Sequence, residues 1–285
     1  MGEGSNDYEG SAAAEPGDKM DRLRDILERF EITIAEANDL VILADYEIVI
    51  IADDSGSMSM ASQPPGMRKL GAPIPSRWDE LKDTTSLLVE LANCFDESGV
   101  DLYFLNRPKL NNLKSISDPN FIAAFDAKPR GSTPLTECMR AVAAECGGER
   151  PVLLFIMTDG EPNGGPAPFC NEMTRIVKKV STHHTFKVQI MACTDDEASV
   201  GWLNDLDERF TEVDVTDDYY SEREEVLRAR KVAKFTRGDW LIKALLGPVS
   251  AKFDAWDEGG GPPGKGGGGK GGGGDSAKSS ACLLL

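Results

Sequence analysis

Two apolar runs that each end on an aspartate constrain this chain more than any other feature. The first lies in residues 46–58, YEIVIIADDSGSM, where Ile48, Val49, Ile50 and their neighbours give way to Asp53, Ser55, Gly56 and Ser57. The second is 151–159, PVLLFIMTD, followed by Gly160. A strand buried on both faces of a parallel sheet reads as a continuous apolar run. Open sheets of that kind bind ligands just beyond the carboxyl ends of their strands. Asp53, Ser55 and Ser57 therefore stand where a site is expected, and they offer one carboxylate and two hydroxyls. Such hard oxygen donors suit Mg2+ or Mn2+ and not zinc.

The rest of the chain agrees with a parallel sheet. Met20, Leu23, Ile26, Leu27 and Phe30 recur at helical spacing, which predicts an amphipathic helix over 19–31 that docks on the domain. Further helices are predicted over 78–93, 120–125, 134–146, 171–180, 199–207 and 222–231, and strands over 100–105, 152–157, 186–193 and 210–215. Strands alternating with helices imply βαβ units. The expected fold class is α/β: a doubly wound, mostly parallel central sheet with helices on both faces.

The expected organisation has five parts. Residues 1–18 are Gly, Ser, Ala and acid without periodicity, and are expected to be disordered. Residues 19–45 form a helical extension packed on the domain, and 46–231 the domain itself. Residues 232–258, with Trp240, Leu241, Leu245 and Leu246, form a second helical extension. Residues 259–285 are a Gly- and Lys-rich flexible tail.

A third motif joins the two strand ends. In Gly131-Ser132-Thr133-Pro134-Leu135, Thr133 is the expected N-cap of a helix and Pro134 its first residue. The order D-x-S-G-S-M, then G-S-T-P, then an apolar strand ending in T-D-G resembles the von Willebrand factor A domain, a Rossmann-like fold, over roughly 46–231. The resemblance implies a metal-ion-dependent adhesion site at Asp53, Ser55, Ser57, Thr133 and Asp159. It implies that Ser55, Ser57 and Thr133 ligate the metal through their hydroxyls. Asp53 and Asp159 are then carboxylates that hold coordinating waters and those hydroxyls. Neutral ligands leave Mg2+ (or Mn2+) much of its charge, and a partner protein's Asp or Glu carboxylate replaces one of its waters.

Two loops are expected to frame this site. Residues 60–77 form a long connection that holds Pro64, Pro65, Pro73 and Pro75, with Arg68, Lys69 and Arg77 and no acid. A basic loop on an acidic protein suits an acidic partner, or is simply a solvated insertion. Residues 161–169 form the other loop, and Met58, Met60 and Met67 are candidates for adaptable apolar contact.

Composition removes some alternatives. The formal net charge of −17 leaves no basic field for nucleic acid. The six cysteines show neither C-x-x-C pairing nor zinc spacing. No apolar segment follows the acidic first residues, so the sequence predicts a cytosolic chain with reduced thiols. The stretch Gly259 to Lys265 imitates a phosphate-binding loop, yet Gly266 stands where Ser or Thr belongs and no apolar strand precedes it.

The chain ends Cys282-Leu283-Leu284-Leu285, the C-a-a-X pattern for geranylgeranylation. The 23 residues between Glu258 and Cys282 give the tether an r.m.s. reach of roughly 26 Å. The sequence thus predicts a non-enzymatic, metal-dependent protein-binding module held at the cytosolic membrane face by a lipid. Two other readings stand beside it: a Mg-dependent phosphatase-like hydrolase using Asp53, and a metal-independent scaffold. The hydrolase resembles D-x-D chemistry, but Ser55 fills the second acidic position. His183-His184 precedes a strand, at the end of the sheet away from the site.

Overall fold

The computed structural model describes residues 16–62, 74–96, 98–146, 148–194, 196–203, 206, 209–230 and 234–254. Most of the segment expected to be disordered, the excursion with Arg68 and Lys69, and the tail with Cys282 lie outside them. The strands are β1 (Glu47–Ala52), β2 (Val100–Phe104), β3 (Leu110–Leu113), β4 (Val152–Thr158), β5 (Phe186–Ala192) and β6 (Val213–Thr216). They form one six-stranded sheet in the order β3-β2-β1-β4-β5-β6, in which only β3 runs antiparallel, against β2.

The apolar runs explain this layout. Because side chains alternate along a strand, Ile48, Ile50 and Ala52 enter one core while Val49 and Ile51 enter the other. Leu153, Phe155 and Met157 join the first core; Val152, Leu154 and Ile156 join the second. Helices α1 (Pro16–Arg29), α2 (Ile34–Asp39), α3 (Arg77–Phe95) and α4 (Pro119–Asp126) precede α5 (Leu135–Glu145), α6 (Pro166–Val177) and α7 (Glu197–Val200). Then come α8 (Tyr219–Arg230), α9 (Arg237–Leu246) and α10 (Ala251–Asp254). The first core packs the sheet against α3, α4 and α9, and the second against α5 and α6. The fold is therefore α/β and doubly wound, with helices on both faces.

Both extensions belong to this body. Ile26 of α1 is buried in the first core and Arg29 pairs with Glu90 of α3. The first helix begins at Pro16, so 16–18 are helical rather than disordered. On α9, Leu241, Ile242, Leu245 and Leu246 are buried in the same core. A Cβ on Gly238 would lie 2.1 Å from the Phe30 carbonyl, so only glycine lets α9 approach the end of α1 this closely. Lys243 of α9 donates to Glu222 of α8 at 2.7 Å with both side chains buried.

Several boundaries differ from the sequence reading. Helix α6 starts at Pro166, because Pro166 fits the first helical position after Gly165, whose φ is 84°. The helix expected over 199–207 is α7 followed by a 3-10 turn, Gly201–Leu203. Strand β6 begins at Val213; Phe210 is buried as part of a turn before it.

The register positions the site. The Asp53 amide donates to the Met157 carbonyl at 3.0 Å and the Cys193 amide to the Thr158 carbonyl at 2.8 Å. The carboxyl ends of β1, β4 and β5 thus lie side by side. From β1 the chain winds outward to β2 and β3, then crosses back to β4 and outward again. The direction reverses between β1 and β4, and that crevice is where such sheets take ligands.

Candidate functional site

Asp53 leaves β1 and Asp159 leaves β4, so the switch point is flanked by two carboxylates. Asp53 is fully buried. Its Oδ1 accepts the Ser55 amide at 2.9 Å and its Oδ2 accepts the Thr158 hydroxyl at 2.7 Å. This folds the chain back over the strand end into the 3-10 turn Gly56–Ser59. Ser55 Oγ and Ser57 Oγ are then 3.1 Å apart, and the Ser57 hydroxyl donates to Asp159 Oδ1 at 2.7 Å. A hydroxyl has one proton and two lone pairs. With its proton given to Asp159, Ser57 keeps its lone pairs for other partners.

Burial pushes the Asp53 carboxyl up to about 6, against the hydrogen bonds from Ser55 and Thr158, and Asp159 adds to the rise. The other carboxylate has a cation of its own. Asp159 Oδ2 accepts Arg77 Nη1 at 2.8 Å, and Arg77 Nη2 donates to Thr194 Oγ1 at 2.6 Å. Cys193 stands beside them, and burial first, then Asp159 and Asp53, raise its thiol well above the ordinary range. A thiol held protonated in this way is a poor nucleophile.

The third motif reaches the site through its backbone. The Gly56 amide donates to the Gly131 carbonyl at 3.2 Å, and the Arg130 amide to the Asp54 carbonyl at 2.7 Å. Thr133 meets the loop after β4: its amide donates to Asn163 Oδ1 at 3.1 Å, and its carbonyl accepts the Asn163 amide at 2.8 Å. Thr133 does not cap α5. Pro134 occupies the cap position without a side-chain bond, and with its ψ at 51° the helix begins at Leu135, one residue later than expected.

Two residues that sequence reasoning passed over hold this loop. Asp54, fully buried, accepts the Asn106 amide at 2.8 Å and the Asn106 side-chain amide at 3.1 Å on one oxygen. Its other oxygen lies 3.1 Å from Arg107 Nε, an ion pair without hydrogen-bond alignment. Asn106 also donates to the Ser132 carbonyl at 2.8 Å. Gly131 has a φ of +111°, and a Cβ there would fall 2.3 Å from Asn106 Oδ1. A second carboxylate in the run Asp53-Asp54 was the available signal.

The structure thus links Ser55, Ser57 and Asp159 side chain to side chain and ties Asp53 to them through the Ser55 amide. The loop that carries Thr133 joins them through the bond between the Gly56 amide and the Gly131 carbonyl. Arg77, read as a basic loop residue facing a partner, turns inward with its side chain 13% exposed. Arg68, Lys69 and Met67 lie outside the described residues. Met58 is core, and Met60 is exposed.

The donors fit a small hard cation. Ser55 Oγ and Ser57 Oγ lie 3.1 Å apart, and Asp159 Oδ1 holds the Ser57 hydroxyl at 2.7 Å from outside that pair. Neighbouring oxygens around octahedral Mg2+, with bonds of about 2.1 Å, sit about 3.0 Å apart. Among the described residues no group of three or more His, Cys, Asp or Glu side chains is disposed to hold a metal. This cluster has two carboxylates and completes its donors with hydroxyls. No helix among the described residues is long and apolar enough to cross a membrane. The chain matches no family model and no curated protein.

Proposed function

We propose that this chain is a divalent-cation-dependent protein-binding module that works like the von Willebrand factor A domains its motifs resemble. Ser55, Ser57 and Thr133 would hold Mg2+ or Mn2+ through hydroxyl oxygens. Asp53 and Asp159 would orient those hydroxyls and the cation's waters. When bound, the cation supplies an electrophilic position that an outside carboxylate can fill. The observation that carries this reading is the proton direction at Ser57. Its donation to Asp159 would keep the carboxylate charge one atom removed from the ion and leave the neutral Ser57 oxygen free to accept or ligate. A cation held mainly by neutral oxygens keeps its pull on an Asp or Glu from a partner.

The C-terminal Cys282-Leu283-Leu284-Leu285 supports a lipid tether to the cytosolic membrane face. Capture of partners from a cell extract tests both parts. Wild type is expected to retain acidic-motif proteins in Mg2+ and release them in EDTA, while Ser55→Ala retains none. Cys282→Ser is expected to move from membrane to soluble fraction with capture unchanged. Capture that survives EDTA would contradict the metal reading. Equal fractionation of wild type and Cys282→Ser would contradict the tether.

A further inference from the structure

Arg77 occupies an unusual place. The loop that precedes it is pinched at its base: Ala61 bridges Ser76, the Ser62 amide donates to the Pro75 carbonyl at 3.0 Å, and the Arg77 amide to the Met60 carbonyl at 2.8 Å. Ser76 then caps α3 through a reciprocal box with Asp79. The Arg77 backbone is therefore fixed by both the loop neck and the first helical turn. From there its guanidinium spans two strand ends, giving one nitrogen to Asp159 after β4 and the other to Thr194 after β5. The Asp159 side chain is fully buried and that of Arg77 is 13% exposed. A buried carboxylate needs a compensating charge, and a planar guanidinium fork supplies it to two acceptors at once.

That charge sits on the carboxylate whose other oxygen holds Ser57. We propose that Arg77 is the built-in counter-cation of the site. It holds Asp159 in place when no divalent ion is present, and its repulsion sets how weakly an ion is held when one arrives. The proposal rests on the divalent-cation reading above. Arg77 is a positioning residue here: it reaches the ion only through Asp159 and through space. Its consequence for binding is a raised positive field at the crevice, which favours an incoming carboxylate at the expense of cation affinity.

A merely structural role and this one predict opposite signs. If Arg77 only braced the site, its loss would weaken cation binding. As a counter-cation, its loss removes a like charge, and Arg77→Met is expected to tighten the Mg2+ dissociation constant on the order of tenfold. In EDTA the same variant is expected to melt below wild type, because Asp159 is left buried and unpaired, and to gain more in melting temperature when Mg2+ is added. Arg77→Gln, which keeps a hydrogen-bond donor and loses the charge, should show the same tightening if Arg77→Met fails to fold. Arg77→Lys should bind Mg2+ close to wild type. Calorimetric titration with Mg2+ and Mn2+ gives the dissociation constants, and thermal unfolding with and without Mg2+ gives the second readout. Unchanged or weaker binding in the uncharged variants, with wild type binding normally, overturns the proposal and leaves the site reading standing. No binding in wild type overturns both.

Discussion

Asp54 and Gly131 show how much of a site can rest on residues that donate nothing to its ligand. Asp54 carries no part of the D-x-S-G-S pattern beyond its spacer position, yet its carboxylate and its carbonyl hold both Asn106 and Arg130. Gly131 fits there because its φ of +111° and its approach to Asn106 leave no room for a Cβ. Gly131→Ala is accordingly expected to cost about 1–3 kcal/mol of stability. It should also weaken Mg2+ binding, since Asn106 must move and release the Ser132 carbonyl. Urea unfolding and a Mg2+ titration of the variant check both, and wild-type values in both would refute this role of Gly131. Asp53, Ser55, Ser57 and Asp159 stood out in the sequence because each is an oxygen donor just past an apolar run, and the structure places them after β1 and β4; Thr133 stood out only through the Gly-Ser-Thr-Pro motif, in the loop before α5. Asn106 was not, since its role depends on how close β2 brings it to the loop before α5. Arg77 was visible as a charge, but its inward turn follows from the loop neck and the cap, which composition does not reveal.

At the scale of elements, the buried parallel strands were the most readable part. Their apolar runs serve two cores at once and leave little ambiguity. The edges were less readable. Leu110–Leu113 has only two apolar residues and a positive φ at Asn112, so nothing in its pattern marks a strand; it pairs only because β2 offers an open edge. Helix α6 was placed late because Pro166 and Pro168 suggest a loop, although the first turn of a helix tolerates both. Helix α9 also rests on a feature no periodicity reveals, the buried pair of Lys243 with Glu222. Removing one partner strands the other charge in the core. Lys243→Met is expected to lose about 3 kcal/mol or more in urea unfolding, and Lys243→Met with Glu222→Leu to lose less. A single variant as stable as wild type would mean that the pair does not secure α9.

For the molecule as a whole, the doubly wound sheet turns three distant stretches into one crevice between β1 and β4. The body around that crevice is acidic, with a formal net charge of −17. Such a field concentrates cations and repels acidic partners, so a captured carboxylate must meet a positive point strong enough to overcome it. The central claim is that a divalent ion provides that point at Ser55, Ser57 and Thr133. Calorimetric titration of Mg2+ into the full chain and into Ser55→Ala tests it most directly. The account predicts saturable binding of one ion to wild type at or below about millimolar Mg2+, and its loss in Ser55→Ala. Equal heats in the two proteins, or none in either, would contradict it.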